Sequence, residues 1–143
     1  MPKVDFSDDK GVFITAGGGW YRNGAEISAT ATELDQYTLT GKISSIHTGT
    51  EHVYVPVPTA GTLVAVHTSV SGNPSAECKI RIHIGATVGN IGEVTIENGS
   101  SAGSVDSLTG LSSAVTAGGY LRAISNNGAS SDVDAYVTFV IAR

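Results

Sequence analysis

Apolar and polar residues alternate with a period of two along much of this chain, the spacing of a strand with one face buried and one wet. In Lys79-Ile80-Arg81-Ile82-His83-Ile84 the isoleucines fall on one side and Lys79, Arg81 and His83 on the other. Val133, Ala135, Val137, Phe139 and Ile141 form a second apolar face, opposed by Asp132, Asp134, Tyr136, Thr138 and Val140. A third sets Val53, Val55 and Val57 against His52, Tyr54 and Pro56. Over residues 62–70, Val64, Val66 and Val70 are expected on one face and Leu63, Ala65 and His67 on the other. Val94 with Ile96, and Leu121 with Ala123, mark shorter strands. Each buried Val or Ile stabilises by roughly 1.5–3 kcal/mol, so these faces together define one core.

Turn residues separate the strands. Pro58-Thr59-Ala60-Gly61 and Ser71-Gly72-Asn73-Pro74 reverse the chain. Ser125-Asn126-Asn127-Gly128 predicts a hairpin, because Asn-Gly supplies the positive φ angles a tight turn needs. No amphipathic stretch of helical length lies between the strands, which excludes parallel α/β topologies. The fold class is therefore all-β, an antiparallel jelly-roll-like sandwich or barrel. One short helix is expected near the start, capped by Thr30 or Thr32 and running through Glu33, Leu34, Asp35 and Gln36 to Tyr37. Segment 98–119, rich in Gly, Ser and Thr, reads as a long loop. Residues 1–24 read as an arm and glycine-rich lead-in, and residues 25–143 as a single domain.

Composition narrows the function. The 143 residues are 41% hydrophobic and 15% charged, well outside the range of disordered chains. A net charge of −5 with no Lys or Arg cluster argues against nucleic acid and anionic membranes as partners. Cys78 has no second cysteine to pair with and reads as a free structural thiol. The opening residues lack the pattern of a secretory leader, and no apolar run reaches ~18 residues, so the expectation is a protein made and kept soluble.

No catalytic constellation emerges. Gly17-Gly18-Gly19 is followed by Trp20 and Tyr21 rather than a Lys-Ser/Thr pair, and Gly41-Lys42 is followed by Ile43. Gly85, Gly89 and Gly92 depart from the dinucleotide spacing, and all three glycine groups read as turns. His47, His52, His67 and His83 have no metal-ligand spacing, although His67 and His83 could meet across neighbouring strands. Asp132 with Asp134, and Glu93 with Glu97, are carboxylate pairs of the kind that bind Ca²⁺ or cleave glycosides. With 6% aromatics there is little to line a glycosidase groove, and solvated carboxylates guarding sheet edges fit better. An enzyme is not expected, and no cofactor or metal is implied. Tyr54 and Tyr136 on outward faces, and Trp20 and Tyr21 beside the glycines, suit either a subunit interface or a second buried face.

Ile27-Ser28-Ala29-Thr30-Ala31-Thr32-Glu33-Leu34-Asp35 resembles a segment that recurs in head and tail proteins of tailed bacteriophages, with Asp35 where Asn is commoner. His52-Val53-Tyr54-Val55-Pro56 through Ala60-Gly61-Thr62-Leu63 is similar to the opening strands of phage β-sandwich proteins. Ser101-Ala102-Gly103-Ser104-Val105, Val115-Thr116-Ala117-Gly118-Gly119-Tyr120-Leu121 and Val137-Thr138-Phe139-Val140-Ile141 resemble the remainder, with Gly118-Gly119 in place of the usual Gly-Asp. The resemblance implies a virion structural protein, most like a capsid decoration protein: made in the bacterial cytoplasm, sited on the capsid exterior, often trimeric, clamping major capsid subunits. On that reading residues 2–9 would order against the capsid by adding to a sheet edge, with Val4 and Phe6 as anchors. A tail or baseplate component, or a carbohydrate-binding receptor module, is the alternative of similar composition.

Overall fold

The computed structural model describes residues 12–14, 20–22, 25–26, 35–46, 51–86, 89–126 and 132–143, the first three of these as backbone alone. The chain forms two compact units, residues 1–35 and 36–143. In the first, β1 (Val12–Ile14), β2 (Trp20–Arg22) and β3 (Ala25–Glu26) make a small antiparallel sheet in that order.

The second unit holds β4 (Gln36–Ile43), β5 (His52–Pro56), β6 (Gly61–Val70), β7 (Cys78–Ile84), β8 (Gly92–Ile96), β9 (Val105–Val115), β10 (Tyr120–Asn126) and β11 (Ala135–Ala142). They form two four-stranded antiparallel sheets, ordered β4-β11-β6-β9 and β5-β10-β7-β8. β7 pairs with β8, β6 with β9, β5 with β10 and β4 with β11. The unit is thus one long ribbon folded over at its β7–β8 hairpin, with successive rungs landing in alternate sheets. That is the jelly roll, an antiparallel sandwich of eight strands. At the open end of the ribbon Gln36 stands opposite Ala142.

Both inward faces are largely apolar, as the alternation requires, with Thr68 and Ser125 the buried polar residues among those described. Ile80, Ile82, Val55, Leu121 and Ala123 from one sheet meet Ala135, Val137, Phe139, Ile141, Leu63 and Val66 from the other, all but Val55 (6% exposed) fully buried. Cys78 lies among them at 0% exposure.

Several expectations need correction. Leu63, not Val64, faces the core, because β6 slips register between Leu63 and Ala65 and leaves Val64 as the extra residue of a bulge. Across the slip on β9, Gly110 adopts φ +74° and turns Leu111 inward to pack on the core. The expected loop over 98–119 is therefore half strand, β9 taking Val105–Val115. Its outward Ser and Thr and its bulge hide the period of two. Gly41 lies within β4 rather than in a turn: a Cβ there would stand 2.6 Å from Val53 Cγ2, so glycine admits the facing sheet. Gln36 and Tyr37 open β4 instead of ending a helix, with the Tyr37 ring against the core and its hydroxyl donating to the Thr59 carbonyl. Asp35 is an exposed turn residue ahead of β4, and the predicted helix up to Leu34 lies outside the described residues. Ser125 and Asn126 end β10, but β10 and β11 belong to different sheets and do not pair as a hairpin. Both edges of β10 are already taken by β5 and β7.

Phe139 is the largest fully buried side chain among the described residues. Phe139→Ala should lower stability by about 3–5 kcal/mol through lost burial and the cavity left behind, read from urea unfolding; a loss under about 1 kcal/mol would contradict this core assignment.

Candidate functional site

With the inward faces filled, chemistry must lie on the outward faces of the two sheets, and these differ in kind. On the β4-β11-β6-β9 face the outward residues are small or hydroxylated. One row across the sheet runs Thr40, Thr138, His67, Ser107 and the next Thr38, Val140, Ala65, Thr109. Thr40 Oγ1 and Thr138 Oγ1 hydrogen-bond at 3.0 Å, and His67 Nδ1 bonds Ser107 Oγ at 2.8 Å. Tyr136 and Val105 stand out at 41% and 65% exposure. The one charged side chain among the outward positions of these four strands is Lys42, which pairs with Asp134 at 2.8 Å.

The β5-β10-β7-β8 face carries aromatic rings and charge. Register places Tyr54 beside Arg122 and Arg122 beside His83, and in the next row His52, Ile124, Arg81 and Glu93. Tyr54 is 56% exposed, stacks on His52 at 6.1 Å and meets Tyr120 edge-on at 5.4 Å. Arg81 Nε donates to Glu93 Oε1 at 2.8 Å, and Asn90 Nδ2 donates to the same oxygen at 3.2 Å. Arg81, His83, Asn90, Glu93, Ile124 and Asn126 line a groove of about 300 Å³. Arg122 Nε is shut off from solvent with no hydrogen-bond partner among the described residues.

The sequence-predicted residues are dispersed. Tyr54 and Tyr136 lie on the outward faces of different sheets and do not share a patch. Trp20 and Tyr21 are in β2, in the other unit, with only their backbone described. Val4, Phe6, His47 and Gly17-Gly18-Gly19 lie outside the described residues. His67 and His83 do not meet, because β6 and β7 belong to different sheets. Asp132 and Asp134 do converge, but on Ser45: its amide donates to Asp134 Oδ1 at 3.1 Å and its hydroxyl to Asp132 Oδ1 at 3.2 Å. These bonds hold Ser45 at φ +58° just after β4. Glu93 is engaged by Arg81, and Glu97 is exposed beyond β8. Among the described residues no three His, Cys, Asp or Glu side chains gather as a metal site.

Sequence reasoning missed Tyr120 and Arg122. Their alternation with Leu121 and Ala123 was enough to turn them outward. That β10 lies beside β5, bringing Tyr120 to Tyr54, was not visible in local pattern.

No protein-family model matches the chain, and no curated protein matches it. Among solved structures it is similar to CsCBM6-3 from Clostridium stercorarium in complex with cellobiose, at 12% identity and TM-score 0.49, over 96% of this chain and 83% of that one. It is similar to the CBM32 of AlyQ in complex with 4,5-unsaturated mannuronic acid, at 13% identity and TM-score 0.45, over 79% and 81%. The cyanophage Pam1 capsid asymmetric unit contains a chain similar at 20% identity and TM-score 0.39, over 75% and 85%. Likenesses of this degree transfer no function, and the β-sandwich rests on the strand pairing itself.

Two predictions follow from the ionisable groups. The hydrogen bond from Lys42, with that from the Ser45 amide, holds the Asp134 carboxyl below the ordinary carboxylate range, and the same bond raises Lys42. An unfolded chain takes up the Asp134 proton more readily, so this contribution is present above the ordinary carboxylate range and lost as pH falls through the lowered folded value. The Lys42 contribution is present below the ordinary lysine range and lost as pH rises through its raised folded value. Asp134→Asn should therefore be less stable than the parent at neutral pH and converge with it in acid; a gap that widens toward pH ~3 would refute the pairing. Separately, burial pushes the Cys78 thiol up to about 11. Folded protein should resist a thiol reagent at pH ~8 and react at once when denatured; rapid labelling of the native state would show that Cys78 is not sealed in the core.

Proposed function

We propose that this chain is a non-enzymatic structural protein of a tailed-phage virion that binds the outside of the capsid and stabilises it, as a trimer bridging major capsid subunits. The observation that carries this reading is the outward face of β4-β11-β6-β9. On a chain of net charge −5, that face presents no acidic residue at its strand positions. Interface cores are depleted in charge, since each buried charge costs several kcal/mol to desolvate. At the centre of the face Thr40 bonds Thr138 and His67 bonds Ser107, so covering that row leaves few of its groups unsatisfied. Tyr136 and Val105 supply the protruding apolar contacts.

The sequence resemblance to phage head and tail proteins supports the same reading. The jelly roll is an architecture of viral capsids and of lectins alike, an analogy of fold and not of site. Weak contacts made by several copies multiply through effective concentration, so a capsid can be clamped without chemistry. Residues 2–9, with Val4 and Phe6, belong to this proposal as an arm that adds to a capsid sheet edge. The aromatic cluster at Tyr54 favours a second reading, a receptor-binding component of the tail or baseplate.

The test is cosedimentation with DNA-filled heads that lack the protein, alongside the solution mass from light scattering. Saturable binding by a species of three times the chain mass is expected. Thr138→Glu, a charge at the centre of the hydroxylated face, should cut head occupancy at least tenfold without lowering the melting temperature by more than a few degrees. A monomer that ignores heads would overturn the proposal, as would full occupancy by Thr138→Glu.

A further inference from the structure

The β5-β10-β7-β8 face is unlike the other in every respect that matters for recognition, and what it carries is independent of the virion reading. Its strands β10 and β7 are hydrogen-bonded on both sides, so no open edge in the centre of the face can accept a peptide strand. Recognition there must use side chains alone. At one side Tyr54 offers an exposed ring flanked by His52 and Tyr120. Two strands away lies the groove, where the Asn90 and Asn126 amides and the Arg81–Glu93 pair converge. Strand spacing puts about 10 Å between shelf and groove, the span of two linked sugar rings. Between them sits Arg122, in register with Tyr54 on one side and His83 on the other.

Arg122 decides the ligand class. No carboxylate is within ion-pair distance of it among the described residues, whereas Arg81, Lys79 and Lys42 each have one. The side chain is half-buried, with Nε withdrawn from water and unpartnered, so its charge, unanswered by any carboxylate, gains most from an anion that meets the outer N–H groups of the guanidinium. One such cation is too few for a nucleic-acid backbone on a chain of net charge −5. We propose that this face binds an anionic oligosaccharide of hexuronic acids: a pyranose ring lies on Tyr54 and Tyr120, its carboxylate reaches Arg122, and a neighbouring ring's hydroxyls bond the groove.

Calorimetric titration of the full chain tests this with four probes: tetragalacturonate, tetramannuronate, neutral maltotetraose and tetraglutamate. Binding to at least one uronate is expected, at least tenfold tighter than to maltotetraose or tetraglutamate, and weakening as salt is raised. Tyr54→Ala and Arg122→Gln should each weaken it tenfold or more, while Tyr136→Ala on the opposite face leaves it unchanged. Tyr54 is exposed, so its variant keeps the test decisive if Arg122→Gln does not fold. Absence of uronate binding, equal affinity for the neutral sugar, equal affinity for tetraglutamate (an acidic protein partner instead), or indifference to Tyr54→Ala would each overturn the assignment. Because the titration contains no capsid, its failure leaves the cosedimentation result untouched.

Discussion

The β7–β8 hairpin is the constraint on which the rest of this sandwich depends. Gly85 leaves β7 at φ +63°, and the Ile91 amide bonds back to Ile82. Every other rung of the ribbon is nested outside this one: β6 with β9, then β5 with β10, then β4 with β11. Closing an inner rung shortens the loop that the next must close, so the entropic cost of each long-range pairing is met in steps. The outward faces inherit their content from this nesting. Tyr54 meets Arg122, and Thr40 meets Thr138, because rungs and not neighbouring segments bring them together.

What could be read in the chain follows from the same geometry. Alternation is local, so the buried sets on β7 and β11 (Ile80 with Ile82; Val137, Phe139 and Ile141) were legible without a structure. Punctuation was legible where Pro and Gly force it, at Pro58–Gly61 and Ser71–Pro74. Segments escaped where a local signal carried two meanings. Val105–Val115 has the Ser, Thr and Gly of a loop because its outer face is hydroxylated and Gly110 serves a bulge. Val64 took the place of Leu63 because one extra residue reverses every assignment beyond it. The candidate site was the least legible. His52, Tyr54, Tyr120 and Arg122 come from strands far apart in sequence, and only sheet order makes them neighbours.

The two outward faces differ in chemistry. One is hydroxylated, with the central row Thr40, Thr138, His67 and Ser107 bonded within itself, a chemistry suited to being covered by protein. The other has an exposed aromatic shelf, a groove and, between them, a half-buried cation with no carboxylate partner among the described residues, a chemistry suited to a ligand that arrives from solvent. They point away from each other across the core, so occupancy of one does not obstruct the other. A protein seated on a large assembly by its first face would present the second outward, in many copies.

Pairing of the outermost rung has one more result. Gln36 and Ala142 stand opposite each other on neighbouring strands, about 5 Å apart. The polypeptide thus enters and leaves the sandwich through one doorway. A domain built this way can be spliced into a surface loop of an unrelated host protein with little strain on either, since the host's loop need open only by the width of a strand. Its eight strands would travel as a cassette.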